Sequence, residues 1–271
     1  MRSAVTISLV PEARGGPFVF WDDLAAGCAR AAELGFDAVE IFPPAAETLN
    51  ASSTARLLAS HGLKCAAVGT GAGWVRHKLR LTDPDAAVRR QAVEFINAII
   101  DVAEELGAPV IIGSMQGRWG DGVTREQAVQ WLGEALAALA GRAARRGVLV
   151  LYEPLNRYET NLFNRQGEAA AFLRTLTAPN VKLLCDLFHM NIEEASMADA
   201  LRAVGPLVGH VHFADSNRQA IGWGHTDMKP IMAALREINY DGFLSAEVLP
   251  LPDSIAAARQ AIESFRRWTA T

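Results

Sequence analysis

The chain has 271 residues, of which 50% are hydrophobic and 21% are charged, and its formal net charge is −4. These values are typical of a globular protein with a large core, and the negative charge argues against a surface that gathers nucleic acid or anionic lipid. No apolar run approaches the roughly 18 residues of a membrane span. The apolar part of the N-terminal stretch is too short for a signal peptide, and we interpret it as a first strand.

The three cysteines, Cys28, Cys65 and Cys185, are scattered along the chain and show no C-x-x-C spacing. An odd number without a pattern predicts no disulfide framework. We therefore expect a protein of the reducing cytoplasm.

Short apolar runs with strand character alternate with longer helical stretches. The predicted strands span residues 4–10, 37–42, 64–69, 109–114, 148–153, 181–186, 208–213 and 242–247. A long helix is predicted after the third strand, with Asp83 as N-cap, Pro84 at the first helical position and Gly107 just past the end. The next helix, within 125–147, also closes on a glycine.

Strict alternation of eight strands and eight helices indicates parallel strands joined by crossover helices. Eight such units in about 250 residues predict an α/β fold of the (β/α)8 TIM-barrel type, as a single domain over residues 1–271. A doubly wound open sheet is the competing architecture, but it normally has fewer units in this length.

Four residues with metal-binding side chains stand at the carboxyl ends of the last four predicted strands, namely Glu153, Asp186, His212 and Glu247. In such a barrel these ends meet at one mouth, where the chemistry takes place. Three carboxylates crowded together repel one another unless a cation lies among them. Three oxygen ligands and one imidazole suit Mn²⁺, Mg²⁺ or Co²⁺ better than a thiolate-rich zinc site, so the sequence predicts a divalent-metal site.

Polar residues in the loops after these strands are candidates for holding a substrate. Glu159, His189 and Arg218 follow the predicted strands that end at 153, 186 and 213. Each of them alone could equally be an ordinary polar loop residue. His210 should point to the same side as His212 but lower in the barrel, as a core histidine or one that supports a ligand. His225 lines the mouth or caps the next helix, and Thr226 or Asp227 could equally be that cap.

Two glycine-containing loops follow the third and fourth predicted strands. GTGAG (69–73) lacks the spacing of a phosphate loop, and we interpret it as a turn that lets backbone approach a ligand. GSMQGRWGDG (113–122) contains Arg118 and Trp119, which could hold a carboxylate or stack on a sugar face. A mobile surface loop is the alternative interpretation of the second segment.

The segments YEPLNRYETN, CDLFHMNIEE, HFADSNR and SAEVLPLP resemble the signatures of the xylose-isomerase-like barrels, in particular the ketose 3-epimerase branch typified by D-tagatose 3-epimerase. The resemblance spans nearly the whole chain, with a looser match in the N-terminal third. It implies metal ligands at Glu153, Asp186, His212 and Glu247, in agreement with the strand-end interpretation. It also implies substrate-binding residues at Glu159, His189 and Arg218.

Some of these segments are similar to those of epimerases that act on keto sugar acids, but the loop SMQGRWGDG is less basic than such an enzyme leads one to expect. The substrate is therefore a small sugar or a sugar acid, with the two alternatives open. Exposed helices of such barrels often pair, so the family suggests a possible homo-oligomer, and neither nucleic acid nor membrane is expected as a partner.

The resemblance implies a metal-dependent epimerase that works through an enediolate, with Glu153 and Glu247 as the two acid–base groups. An aldose–ketose isomerase of the hydroxypyruvate type, or an inosose dehydratase-type lyase, would use the same site. An endonuclease IV-type repair enzyme needs extra histidines at the second to fourth strand ends, and the sequence has none there. A catalytically silent sugar-binding protein would not require an intact ligand set.

Overall fold

The computed structural model describes residues 1–270, and its strands pair in parallel around a closed barrel. The strands are β1 (Arg2–Ser8), β2 (Phe20–Trp21), β3 (Ala38–Phe42), β4 (Lys64–Gly69), β5 (Val110–Ile112), β6 (Val150–Tyr152), β7 (Val181–Asp186), β8 (Val208–His212) and β9 (Phe243–Ala246). They are ordered β2-β1-β3-β4-β5-β6-β7-β8-β9, and pairing of β1 with β9 closes the ring. The two-residue β2 lies outside this ring, beside β1. The predicted single-domain (β/α)8 barrel is therefore confirmed.

Ten α-helices surround the barrel in the described part of the chain. They are α1 (Leu24–Leu34), α2 (Ala51–Ser60), α3 (Ala72–His77), α4 (Ala86–Leu106), α5 (Arg125–Ala144), α6 (Gln166–Arg174), α7 (Leu187–Glu193), α8 (Met197–Val204), α9 (Met228–Glu237) and α10 (Ser254–Thr269). Eight of them are the expected crossovers, whereas α3 and α7 are short additions in the loops after β4 and β7. These two are six and seven residues long, too short for a helical periodicity to be visible in the sequence.

The start of α4 differs from the prediction. Asp85, not Asp83, is the N-cap, since its side chain accepts a hydrogen bond from the backbone N–H of Ala87 at 2.7 Å. Asp83 instead pairs with Arg80 at 2.8 Å, and Pro84 lies before the helix. The predicted end is confirmed, because Gly107 adopts a left-handed conformation with φ of 61°. At α9 the cap is Asp227, one of the alternatives left open by the sequence.

Two large apolar layers and a small cluster of Ala4, Ala38 and Ala66 hold the barrel together. The larger layer fills the space between the strands and the helices. The smaller one fills the barrel interior and contains Phe18, Phe42, Ala67, Ile111, Leu151 and Leu184. Side chains of alternate strand residues fill the interior in this way, so that polar groups concentrate above the packed layer, at the carboxyl ends of the strands.

Candidate metal centre

The four predicted ligands come together at the carboxyl ends of four consecutive strands. Glu153 directly follows β6, Asp186 ends β7, His212 ends β8 and Glu247 directly follows β9. Each offers one ligand atom, and the four atoms lie within 4.8 Å of one another. All four residues are buried. The register of the parallel ladder causes this convergence, because it places Asp186 opposite His212 and His212 opposite Ser245.

His212 presents its Nδ1 atom to the three carboxylates. That atom lies 3.2 Å from Asp186 Oδ2, 3.4 Å from Glu247 Oε2 and 3.5 Å from Glu153 Oε1. A cluster of three carboxylate oxygens and one imidazole nitrogen is the donor set that hard divalent cations accept. The site could therefore hold one divalent metal ion.

Asp186 has a second structural role, at the start of α7. Its Oδ1 atom accepts hydrogen bonds from the backbone N–H groups of Phe188, at 2.7 Å, and His189, at 3.3 Å. Since these bonds occupy Oδ1 and fix the side chain, Oδ2 is directed toward His212. The cap thus orients the carboxylate for the metal and places His189 beside it.

The Glu153 carboxylate lies close to the backbone of Gly113. A Cβ atom on Gly113 would collide with Glu153 Oε2, so a side chain here would displace this carboxylate from its present position. The backbone carbonyl of Glu153 accepts from Gln116 Nε2 at 2.9 Å, and Gln116 Oε1 accepts from the Tyr152 hydroxyl at 2.6 Å. These bonds hold the end of β6 against the loop after β5.

Glu40, in the middle of β3, is a site residue that the sequence reasoning missed. It is fully buried and lies beneath the candidate ligands, 3.1 Å from His212 Nε2 and 2.7 Å from His210 Nε2. A carboxylate in this position orients a ligating imidazole, because it accepts the proton of one nitrogen and leaves the other nitrogen for the metal. The available signal was the charge of Glu40 inside the otherwise apolar run AVEIF. His210 lies lower in the barrel, as predicted.

Arg218 adds a positive charge to the rim of the cluster. Its Nη2 atom bonds Glu247 Oε2 and lies 3.4 Å from Asp186 Oδ2. The residue has a φ of 58°, an uncommon conformation for arginine, which the backbone bond from the Leu249 N–H to its carbonyl helps to hold. Its Nε atom is buried and has no hydrogen-bond partner in the described part of the chain.

The electrostatics of the cluster fit a cation. Burial raises the pKa of Glu247 to about 8 and also raises that of Glu153, since a buried carboxylate without full compensation favours its neutral form. Although burial opposes it, the neighbouring Glu247 and Glu40 raise the pKa of His212 well above its ordinary value. The three buried carboxyl groups therefore lack sufficient positive charge among them, and a divalent ion would supply it.

His189 and Glu159 lie beside the cluster and share one neighbour, Asn156. The His189 Nδ1 atom lies 2.7 Å from Asn156 Nδ2, and its Nε2 atom lies 3.3 Å from Arg218 Nη1. Glu159 Oε1 accepts from Asn156 Nδ2 at 3.0 Å. Burial lowers the pKa of His189 to about 4, so this imidazole is neutral at pH 7. Asn156 is a second residue that the sequence reasoning did not single out.

A cavity of about 160 Å³ opens above the candidate ligands, much larger than the roughly 10–15 Å³ that a single water requires. Glu153, Glu159, His189, Arg218 and Glu247 form its polar side. The opposite wall is mainly apolar and consists of Val10, Ala13, Pro17, Phe18, Phe42, Ala72, Val75, Ile111 and Leu155. Thr70 and Gly71 also line it, which places the GTGAG backbone against the cavity as the turn interpretation expects.

Arg118 and Trp119 lie outside this lining. Both are exposed, and the Trp119 indole N–H donates to the backbone carbonyl of Asn161 at 2.8 Å. From the same loop, Gly113 and Ser114 reach the cavity instead. His225 is exposed and does not line the cavity. A contact of Arg118 or Trp119 with substrate stays a prediction.

Comparison with known proteins identifies relatives of the whole chain. The family model described as "Xylose isomerase-like TIM barrel" matches residues 28–268. A D-psicose 3-epimerase of Agrobacterium fabrum is 34% identical over 230 residues, which cover 80% of this chain and 76% of that protein. An L-ribulose 3-epimerase of Methylomonas sp. is 33% identical over 243 residues, covering 86% and 83% of the two chains.

Structural comparison agrees with the sequence relatives. A solved structure of L-ribulose 3-epimerase superimposes with a TM-score of 0.83 at 27% identity, covering 99% of this chain and 94% of that one. A putative hydroxypyruvate isomerase of Homo sapiens matches less closely, at 30% identity over 94% of this chain and 92% of that protein. Within residues 1–270, none of the helices is long and apolar enough to cross a membrane. The matched length and identity place this chain in the xylose isomerase-like TIM barrel family, to which it therefore belongs.

Proposed function

We propose that this protein is a divalent-metal-dependent epimerase of a ketose, which inverts a carbon next to the ketone through an enediolate. The observation that carries the proposal is that Glu153 and Glu247, from β6 and β9, both belong to the four-residue cluster and both line the cavity. The D-psicose and L-ribulose 3-epimerases among the relatives act in this class of reaction.

Epimerisation requires a base on one face of the reacting carbon and an acid on the other. Glu153 and Glu247 flank the space above the cluster, so that one removes the proton and the other returns a proton to the opposite face. Glu153, Asp186, His212 and Glu247 would hold a divalent ion, which would supply Lewis acidity to stabilise negative charge on the substrate oxygens. We propose Mn²⁺ as this ion, with Mg²⁺ and Co²⁺ as alternatives.

Three further side chains bind the substrate in this proposal. His189 and Arg218 present N–H groups to the oxygen that becomes negatively charged. Glu159, on the outer side of the cavity, accepts hydrogen bonds from substrate hydroxyl groups. The positions of the three residues support this assignment, because Glu159, His189 and Arg218 all line the cavity.

The cavity favours a neutral ketose over a keto sugar acid. Arg218 is the one Lys or Arg among the described lining residues, and the Glu247 and Asp186 carboxylates already engage its guanidinium. A substrate carboxylate at the far end would face Phe18, Phe42 and Val75, with no cation to compensate its burial. The far end of the substrate therefore carries no charge.

The cellular setting remains part of the proposal. Three free, buried cysteines in the described structure agree with a reducing cytoplasm. The negative net charge agrees with a small sugar as partner, in place of nucleic acid or membrane. A homo-oligomer stays a prediction from the family resemblance.

The test is an NMR assay in D₂O with a panel of ketoses and hexuronic keto acids, each with Mn²⁺, Mg²⁺ or Co²⁺ and with an EDTA control. We expect deuterium at one inverted carbon of a neutral ketose, an unmoved carbonyl, and no turnover in EDTA. Migration of the carbonyl would identify an aldose–ketose isomerase, and loss of water a lyase. Turnover of keto acids alone would contradict the neutral substrate.

Substitution of the two glutamates tests the acid–base assignment in the same assay. Glu153→Gln and Glu247→Gln should each lower turnover by roughly 10²- to 10⁴-fold at saturating metal, the range of general acid–base catalysis. Glu237→Gln is the matched control, because Glu237 pairs with Arg202 on the outside of the barrel. Substantial activity in either cavity variant would contradict the two-glutamate scheme.

A further inference from the structure

We propose that Asn156 is a positioning residue that fixes the tautomer of His189, so that its Nε2 atom carries the proton and donates to the substrate. The inference deepens the proposed epimerase function and rests on it for the role of the donated bond. The tautomer itself follows from the hydrogen bonds around Asn156, independently of any reaction.

The orientation of the Asn156 amide is determined by its two outer neighbours. Its Oδ1 atom accepts from the backbone N–H of Tyr158 at 2.9 Å, so the other end is the NH₂ group. That end lies 3.0 Å from Glu159 Oε1, which only accepts when ionised. If the amide were flipped, its oxygen would face the Glu159 carboxylate and its NH₂ group would face the Tyr158 N–H. Both contacts would be repulsive, so this orientation is excluded.

The orientation of Asn156 dictates the proton position on His189. Two donors of Asn156 face His189 Nδ1, the side-chain Nδ2 at 2.7 Å and the backbone N–H at 3.3 Å. An atom that accepts these bonds bears no proton. An imidazole that accepts at Nδ1 carries its proton on Nε2, the atom on the side of Glu153 and Arg218.

The opposite tautomer of His189, with the proton on Nδ1, also has neighbours with which it could interact. With the proton on Nδ1, His189 would donate toward Glu159 Oε1, 3.8 Å away, and its Nε2 would accept from Arg218 Nη1 at 3.3 Å. Only the contact with Arg218 has the length of a hydrogen bond and favours that form. It would remove a donor from the cavity and present a lone pair to an oxygen that becomes negative. Asn156 opposes this form with two donors at Nδ1.

Burial and anchoring make Asn156 suited to this role. Its side chain is only 2% exposed and that of His189 only 1% exposed, so water does not offer alternative partners. The backbone is also held, because the Asn156 carbonyl accepts from the N–H groups of Glu159 and Thr160 at 3.0 and 3.2 Å. Asn156 thus joins Glu159 and His189 into one unit.

The deciding experiment is ¹⁵N NMR of histidine side chains in the Mg²⁺-loaded protein, Mg²⁺ being diamagnetic, with the His189 signals identified by their loss in His189→Gln. We expect an unprotonated-type shift for Nδ1 and a protonated-type shift for Nε2. In Asn156→Asp, the new carboxylate should draw the proton to Nδ1 and exchange the pattern. Asn156→Ala, which keeps only the backbone donor, should give a mixture of the two forms.

Asn164→Asp is the matched control, since Asn164 braces the same loop through the carbonyls of Leu155 and Thr160 and has no contact with His189. It should keep the wild-type pattern. Kinetically, Asn156→Asp should lower kcat by roughly 10²-fold with a smaller change in KM, because the lost donor acts on developing charge.

A protonated Nδ1 in the wild type, or an unchanged His189 pattern in Asn156→Asp, would overturn the inference. Should Asn156→Asp not fold, the wild-type and Asn156→Ala spectra decide. The spectra do not depend on turnover. Failure of the epimerase proposal would appear as a wild-type protein inactive on every ketose with the predicted tautomer intact.

Discussion

The two halves of the barrel contribute different things to one cavity. The four residues of the candidate metal centre lie at the ends of strands β6–β9, and the segments after these strands carry Glu159, His189 and Arg218. The first half, through β5, supplies most of the apolar wall, including Phe18, Phe42 and Ile111. The comparison indicates that the reaction depends on the second half, whereas the first half shapes the space for the unreactive end of the substrate.

One residue crosses this division. Glu40 belongs to the first half but lies 3.1 Å from His212 Nε2, and so acts on the metal centre from below. Its burial at 0% exposure means that the contact is made inside the barrel. The first half therefore supplies none of the four residues that would bind the metal directly, but it still influences the metal centre through Glu40.

The largest expected effect of a first-half residue on the metal centre is at Glu40. Glu40→Gln keeps the shape but replaces the carboxylate that accepts the His212 proton, so metal affinity should fall by about 10- to 100-fold. Calorimetric titration with Mn²⁺ measures this, with the exposed Glu47→Gln as control. An unchanged affinity would show that the first half has no influence on the metal centre.

The pH dependence of metal binding tests whether Glu247, in the second half of the barrel, is a metal ligand. Since Glu247 has a pKa of about 8 without a bound ion, it is protonated below that pH, and a metal ion must displace the proton. Affinity should rise by at least about tenfold for each pH unit from pH 6 to pH 8, because the raised pKa values of Glu153 and His212 add further protons that the metal ion must displace. Titrations at several pH values measure the slope. A flat profile would mean that Glu247 is not a ligand.

The smallest expected effect is in the apolar wall. Phe18→Leu should raise KM for a ketose by about three- to tenfold and leave kcat and metal affinity unchanged, because it removes contact made equally in ground and transition states. Steady-state kinetics check this, with Phe172→Leu as control, since Phe172 packs on Phe163 outside the cavity. A fall in kcat alone would assign the wall a part in the chemistry.

The sequence was sufficient for the barrel and for the four strand-end residues, since alternation predicts parallel strands and parallel strands bring their carboxyl ends together. It was insufficient for Glu40, because the contact with His212 joins residues 172 apart and depends on closure of the ring. The short helices α3 and α7 lack a visible periodicity. At α4, three aspartates lie within 83–101, and only the local geometry shows that Asp85 is the cap.

Loop positions show the same limit. For the glycine-containing segment after β5, the sequence left open substrate contact through Arg118 and Trp119 or a mobile surface loop. Both residues are exposed and Trp119 bonds Asn161, and substrate contact stays a prediction. Side-chain direction in an irregular loop depends on such individual hydrogen bonds, which the sequence does not display. The role of Asn156 was likewise not visible in the sequence, since it follows from hydrogen bonds with Tyr158, Glu159 and His189.

The most direct test of a single metal centre built from four strands is the stoichiometry of metal binding. The purified protein is saturated with Mn²⁺ and its metal content is measured by mass spectrometry, alongside Asp186→Asn. We predict one ion per wild-type chain and a loss of tight binding in the variant. Two or three ions per chain, or a variant that binds as tightly as the wild type, would contradict the account.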